Sequence, residues 1–463
     1  MGFKFYAFLF IALYLLLMIA VGLWYGRRES DQDFIIGNRN IGIIPTAASL
    51  AASFRDGGGI VFWISAGFAA SYGGMWLLGG VILSAILLAF LGPRLRAEAK
   101  AQNHITIQER VRDVIGLRSA RLASAVSMIF GLLIIALQFH VSGNIFAQIL
   151  DVPKYAGVVV VGTILAVYLI AGGYKSVIVT DTIQFFIMFS LIVIPFLLAP
   201  ASSDMFNVSS LFDIPRMDGI ALFLFGIYYL IIAPESWQRI FSARDERTIR
   251  IGIPLTALIL IVMTFSLIWL GMGLKQIYPG IEKATLYATM FRDNPAVSPW
   301  LLGYILLVFL SITMSTQSAA CYGFVSTLGK VFMPGKTEKS RDYILFSRKW
   351  MAAALVLAGI MSLTISKVVE YMFDIVGFVI CLGPTYLLAA VAPQLDGYKA
   401  LSSARRETFD KAVAGTTLLG ITVFFACVIL GVTDGGFIYS VLPGVGTTLL
   451  AGLVAFGVLR RPA

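Results

Sequence analysis

Stretches of about 20 consecutive apolar residues recur from one end of this chain to the other, each long enough to cross the roughly 30 Å hydrocarbon core of a bilayer. No motif constrains the fold as strongly. In hydrocarbon the backbone must satisfy its own hydrogen bonds, and a continuous apolar run of that length does so as a helix. Thirteen runs are read, at approximately 5–26, 42–70, 73–93, 120–150, 155–172, 177–199, 218–241, 250–274, 298–332, 346–366, 369–393, 408–432 and 437–459. The expected fold is an all-α integral membrane protein of 13 transmembrane helices. Composition agrees: 59% of residues are hydrophobic and 13% charged, against about 25% charged in a soluble domain, so a soluble fold is excluded.

An odd number of spans puts the termini on opposite sides, and cytoplasmic loops carry the excess of lysine and arginine. With the N-terminus external, most of the 35 basic residues fall inside, in the loops that hold Arg27 to Arg39, Arg94 to Arg121, Lys175, Arg239 to Arg250, Lys330 to Lys349, Lys399 to Lys411, and Arg460 with Arg461. The external side receives only Lys4, Lys154, Arg216, Lys275, Lys283, Arg292 and Lys367. The expected location is the plasma (inner) membrane, N-terminus external and C-terminus cytoplasmic. The net charge of +10 then reflects orientation and contact with anionic lipid, and nucleic acid need not be invoked.

Other whole-chain signals are bland. Cys321, Cys381 and Cys427 lie inside spans as small apolar residues, and the first run, followed by Arg27 and Arg28, reads as a retained anchor. His104 lies in a loop and His140 in a span, too few for a metal cluster. The loops at 94–119 and 275–297 are too short for a catalytic domain, no P-loop or Ser/His/Asp set suggests an enzyme, and no obligate protein partner is evident.

Against this background the second span is anomalous. Arg55 and Asp56 precede Gly57, Gly58 and Gly59 within AASLAASFRDGGGIVFWISAGFAA. Charges at membrane depth read as functional, and glycines let backbone leave the helical ladder where it lines a cavity. A broken helix is predicted there.

Three further segments stand out. In the ninth span Ser311, Ser315 and Ser318 share a helical face with Thr316 at its shoulder. Those hydroxyls either knit neighbouring helices or supply the oxygen ligands a hard cation takes. In GGYKSVIVTDTIQFF, Asp181 is a membrane-embedded carboxylate; it is either a functional group or an interfacial acid partnered by Lys175. In IYYLIIAPESWQRIFSARDERTIRIG, Tyr228 and Tyr229 sit mid-span, Pro234 breaks or kinks the helix, and the charged remainder reads as an exit into a cytoplasmic loop.

Together these segments resemble the sodium/solute symporter family, which includes the proline and sodium/galactose transporters. The resemblance rests on GGYKSVIVTDTIQ at 172–184, WQRIFSARDERTIRIG at 237–252, MSTQS at 314–318 and GNRNIGIIPTAASLAASF leading into the break, and it covers nearly the whole chain. It is closest in topology to the thirteen-span proline-transporter branch. It implies one membrane domain over 1–463, with a first span and loop at 1–41, inverted five-span repeats at 42–199 and 218–393, and two last spans within 408–463. Such repeats surround a midplane site.

The resemblance also implies roles. The main sodium site would take carbonyls of Ala52, Arg55 and Ile312 and the hydroxyls of Ser315 and Thr316. A second sodium would use Asp181 and Ser318, but Ala319 lacks the further oxygen some members supply. Tyr229 falls at an aromatic gate beneath the substrate. The positions that hold sugar in the galactose branch fall on Gly59, Leu78 and Gly226, which argues against sugar, and Phe54 departs from the proline branch.

For the solute, the chain offers the Arg55 guanidinium and the freed amides around Gly57 and Gly58, with Asp56 and Tyr229 beside them, which suits a carboxylate or amino acid. The competing reading neutralises Arg55 with Asp56, Asp374 or Glu370. The expected function is sodium-coupled import of a small organic solute by alternating access, with sodium as coupling ion. A transporter-like solute sensor and a proton-coupled carrier of the same fold stay open.

Overall fold

The computed structural model describes residues 2–26, 36–199, 203–280, 297–332, 341–431 and 437–460, and every regular element among them is helical. Two of the external lysine and arginine positions, Lys283 and Arg292, lie outside the described residues, as do Arg27, Arg28, Lys336, Lys339 and Arg461. Among the described residues nine helices are long and apolar enough to cross a membrane, or ten when one bent pair counts as a single span.

In chain order the helices are α1 (Phe3–Gly26), α2 (Ile43–Phe54), α3 (Gly57–Ala70), α4 (Trp76–Gln102), α5 (Ile107–Val114), α6 (Leu117–Leu150) and α7 (Lys154–Ala171). Next come α8 (Tyr174–Met188), α9 (Ile194–Leu198), α10 (Arg216–Ile232), α11 (Pro234–Ser242) and α12 (Glu246–Ile277). The last are α13 (Pro299–Phe332), α14 (Arg341–Ser362), α15 (Val368–Ile380), α16 (Gly383–Val391), α17 (Ser403–Ile429) and α18 (Phe437–Arg460).

Helix α13 is the axis of the bundle. It is buried almost from end to end, and it packs on α1, α2, α6, α8 and α14. The large apolar side chains left exposed lie mostly on outer helices such as α1 and α17, as expected of surfaces that face lipid.

Several helices approach each other closely at glycine. A Cβ on Gly80 would stand 2.0 Å from the carbonyl oxygen of Phe223, and one on Gly226 would stand 2.1 Å from that of Leu77, so α4 and α10 cross backbone to backbone. Gly67 and Gly271 do the same for α3 and α12, at 2.3 Å and 2.2 Å. Lipid-embedded helices gain little from hydrophobic exclusion, and small residues give close van der Waals packing instead. Gly226, one of the positions the galactose branch uses for sugar, is thus a packing residue here.

Among the described residues, two breaks within spans bear on the site. One break separates α2 from α3 at Arg55 and Asp56; the other separates α10 from α11 at Ala233, where the chain turns by 47°. Pro234 explains the second: it occupies the first position of α11, where a missing N–H costs nothing, and its ring disfavours helix at the residue before it. The first break brings freed backbone against α13, and the second points α11 back into the protein.

Candidate functional site

At the first break, Arg55 leaves the helix with φ −94° and ψ 65°. The Asp56 carboxylate then accepts from the Gly59 amide at 2.8 Å and caps α3, a favourable place for negative charge. The glycines make room for this cap: a Cβ at Gly59 would lie 3.0 Å from Asp56 Oδ2, and one at Gly57 would lie 2.8 Å from Val141 Cγ1. The Gly57 amide donates to Gln138 Oε1 at 2.8 Å. Two of the amides expected to face a solute are therefore held by protein acceptors.

Arg55 is buried, at 2% exposure, and its Nη2 donates to the carbonyl of Leu260 at 2.8 Å and to Thr264 Oγ1 at 2.7 Å, both on α12. It forms no ion pair within 4.0 Å with Asp56, Asp374 or Glu370, the acids that the sequence leaves as its partners. Glu370 instead stands 3.8 Å from Lys367. Among the described residues the Nε of Arg55 has no hydrogen-bond partner.

The hydroxyl row of α13 meets this break. Thr316 Oγ1 donates to the freed carbonyl of Ser53 at 3.1 Å and to its own helix at Ile312 O, 3.3 Å. Ala52 and Ile312 are fully buried at the same level. Ser315 and Ser318 turn to α8 and donate to Asp181 Oδ1 at 3.0 and 3.2 Å. Residues far apart in sequence thus assemble a nest of hydroxyl, carbonyl and carboxylate oxygens.

The surroundings of Asp181 depart from expectation. Its partner is Arg239, not Lys175: Arg239 Nη2 stands 2.9 Å from Asp181 Oδ2, with both side chains at 0% exposure. Ser49 links them, donating to Asp181 at 2.8 Å and lying 2.8 Å from Arg239 Nη2. The sequence reading places Arg239 in a cytoplasmic loop and takes the stretch after Pro234 for a charged exit. In the structure all of α11 after its first residue is buried, Trp237 included, because the bend at Ala233 carries the helix inward against α2 and α13. The amphipathic spacing of Glu235 and Arg239, one turn apart, was the available signal for a buried polar face.

Beside the oxygen nest lies a cavity of about 890 Å³, including its part open to solvent. Phe54, Trp63, Phe130 and Phe225 give it aromatic walls; Ser53, Arg55, Asp56, Thr264, Thr316 and Glu235 are its polar lining. Tyr229 also lines it, donating to the carbonyl of Phe54 at 3.1 Å with the two rings 5.1 Å apart. Gly57 and Gly58 do not line it, whereas Gly59 and Leu78 do. Glu235 was not singled out from sequence.

A helical bundle with two interrupted spans around a polar-footed cavity is the architecture of a secondary transporter. In the sequence comparisons, residues 34–207 match the model of the sodium:solute symporter family. Over 98% of its length the chain is 23% identical to the osmoregulated proline transporter OpuE of Bacillus subtilis, covering 95% of that relative. The high-affinity proline transporter PutP of the same organism is 25% identical over 94% of each chain. A sodium/proline symporter of Staphylococcus aureus is 24% identical over 70% of this chain and 68% of its own.

The fold is also that of solved transporters. A Na+-coupled sialic acid symporter in a substrate-bound outward-open state superposes with a TM-score of 0.81 at 13% identity, covering 97% of both chains. A nucleobase-cation-symport-1 family transporter in a closed conformation gives 0.56 at 17% identity, over 91% of this chain and 93% of that one.

Proposed function

We propose that this chain is a sodium-coupled symporter that imports a small organic carboxylate or amino acid by alternating access. The observation that carries the reading is the meeting of Thr316 with the freed carbonyl of Ser53 at the edge of the cavity. Sodium would be held there by the carbonyls of Ala52, Arg55 and Ile312 and the hydroxyls of Ser315 and Thr316. Binding of ion and solute to one conformation shifts the population towards it, and the sodium gradient then drives release on the other side.

Asp181 and Ser318 would complete a second sodium site. In this conformation the Arg239 guanidinium already neutralises that carboxylate, and Ser49, Ser315 and Ser318 donate to it. One sodium ion per cycle is the reading this favours. For the solute, Arg55 offers its unpartnered Nε within the cavity lining, with Tyr229 beneath.

For the membrane arrangement we propose thirteen spans with the N-terminus external and the C-terminus cytoplasmic. Helix makes up most of the described part of each of the thirteen apolar runs, with breaks such as those at Arg55 and Asp56 and at Ala233. The inverted repeats would run over 42–199 and 218–393. Their support is positional, since the two interrupted spans fall first in each half, the placement expected around a substrate site.

The reading is tested in proteoliposomes loaded with or without a sodium gradient and offered radiolabelled amino acids and organic acids. Uptake that requires sodium, and that Ser315→Ala abolishes, is expected. Equal uptake on a pH gradient without sodium would replace it with a proton-coupled carrier, and sodium-dependent binding without uptake would make the chain a sensor. If Arg55→Lys and Arg55→Gln both leave uptake intact, the guanidinium does not hold the solute.

A further inference from the structure

Resting on the symport reading, one group in the cavity narrows the solute further. Glu235 is the first acidic residue of α11, one position past Pro234, and it is 6% exposed. Among the described residues its Oε2 has no hydrogen-bond partner, and no lysine or arginine nitrogen lies within 4.0 Å of its carboxylate. None of the neighbouring charges is bonded to it, and each has other contacts. Arg239, one turn further along the same helix, is bound to Asp181 and Ser49; Asp56 caps α3; Arg55 donates to Leu260 and Thr264.

An unpaired carboxylate buried in protein is costly, and such groups are found where a ligand supplies the missing charge. The rest of the lining fits an organic cation. Phe54, Phe225 and Tyr229 form a contiguous aromatic wall, with ring centroids 5.1 Å and 5.9 Å apart, and aromatic faces attract cationic nitrogen. Arg55, Asp56, Tyr229 and Glu235 all line this one cavity, so acid and guanidinium serve one space. A solute that satisfies both carries a negative and a positive group on a small frame.

We propose that Glu235 binds the cationic nitrogen of the transported solute, which makes that solute a zwitterion, an amino acid or a betaine, rather than a simple carboxylate. Arg55 then takes the carboxylate end. The oxygen nest at Thr316 and Ser53 takes sodium and has no part in reading the nitrogen.

The test uses the full chain in proteoliposomes under a sodium gradient, with isosteric pairs that differ in that nitrogen alone. The pairs are L-proline with tetrahydrofuran-2-carboxylate, L-alanine with L-lactate, and glycine betaine with 3,3-dimethylbutanoate. At least one nitrogen-bearing member is expected to accumulate while its anionic, nitrogen-free isostere does not. Glu235→Gln is expected to raise the half-saturating concentration of that solute about tenfold or more, as loss of a charge-assisted bond does, and Glu235→Asp to raise it less. Sodium binding without solute, followed by intrinsic tryptophan fluorescence, should stay within about twofold of wild type in both variants, which shows that they fold. Should Glu235→Gln fail that check, Glu235→Asp carries the comparison.

Equal uptake of an isostere, or an unchanged half-saturation in the folded variant, overturns the assignment while leaving sodium symport standing. Uptake that follows a proton gradient and is lost in Glu235→Gln overturns it in favour of a proton carrier. Failure of every compound to accumulate under a sodium gradient sinks the symport reading itself.

Discussion

Asp181 and Arg239 form a fully buried ion pair whose value lies in specificity as much as stability. Isolated, either charge would be expensive in this interior; together, with Ser49, Ser315 and Ser318 donating to the carboxylate, they hold α2, α8, α11 and α13 in one register. Removing one partner strands the other. Asp181→Asn or Arg239→Gln should each destabilise the protein by about 3 kcal/mol or more, and the double variant should cost less than the two single costs added. Thermal denaturation in detergent checks this; additive losses would show that the two groups act independently. Ser315 and Thr316 belong to the same scale. Thr316→Ala should raise the sodium concentration for half-maximal uptake about tenfold while leaving folding intact, since it removes one oxygen among several. A sodium response within twofold of wild type would remove Thr316 from the ion site.

Among the helices, the glycine crossings set what can be changed. Gly226 and Gly80 face each other so closely that any side chain meets backbone, which cannot yield as a flexible side chain can. Gly226→Val should abolish stable expression, whereas Gly446→Ala, with open space around its Cβ position, should be tolerated. Size-exclusion profiles of the two variants compare them directly, and a monodisperse Gly226→Val protein would mean that α4 and α10 separate without penalty. The helices and their breaks were legible in the sequence because each has a local cause. Apolar length marks a span, Pro234 forces a break, and the Arg-Asp-Gly-Gly-Gly run marks another. The partners were less legible. Arg239 follows the charge rule for a loop, and only the bend at Ala233, a tertiary event, carries it into the core beside Asp181. Gln138 and Thr264 gave no signal, since a lone amide or hydroxyl in a span usually serves its own helix. Glu235 was hidden for the same reason as Arg239.

In the whole molecule, one end carries a cluster of charge-assisted contacts. Arg39 donates to the carbonyls of Phe241 at 2.9 Å and His104 at 2.7 Å, Arg96 to that of Ala243 at 2.6 Å, and Lys330 stands 2.9 Å from Glu109. These contacts draw α4, α5, the link from α11 to α12, and the end of α13 into one cluster. They are also the residues the charge rule assigns to the cytoplasm, so topology and closure can be tested together. In a chain whose three native cysteines are replaced by alanine, Lys4→Cys and Lys275→Cys should react with a membrane-impermeant maleimide in right-side-out vesicles, and Arg405→Cys should not. The reverse pattern would invert the orientation. A cysteine at Ser53 within the cavity adds the conformational half of the experiment. If the basic cluster holds the cytoplasmic side shut, Arg39→Ala, which loses two charge-assisted bonds, should increase labelling of Ser53→Cys from the inside in inside-out vesicles. Sodium, by favouring the opposite closure, should reduce that labelling. Labelling unchanged by both Arg39→Ala and sodium would show that this cluster is a scaffold and that the moving gate lies elsewhere.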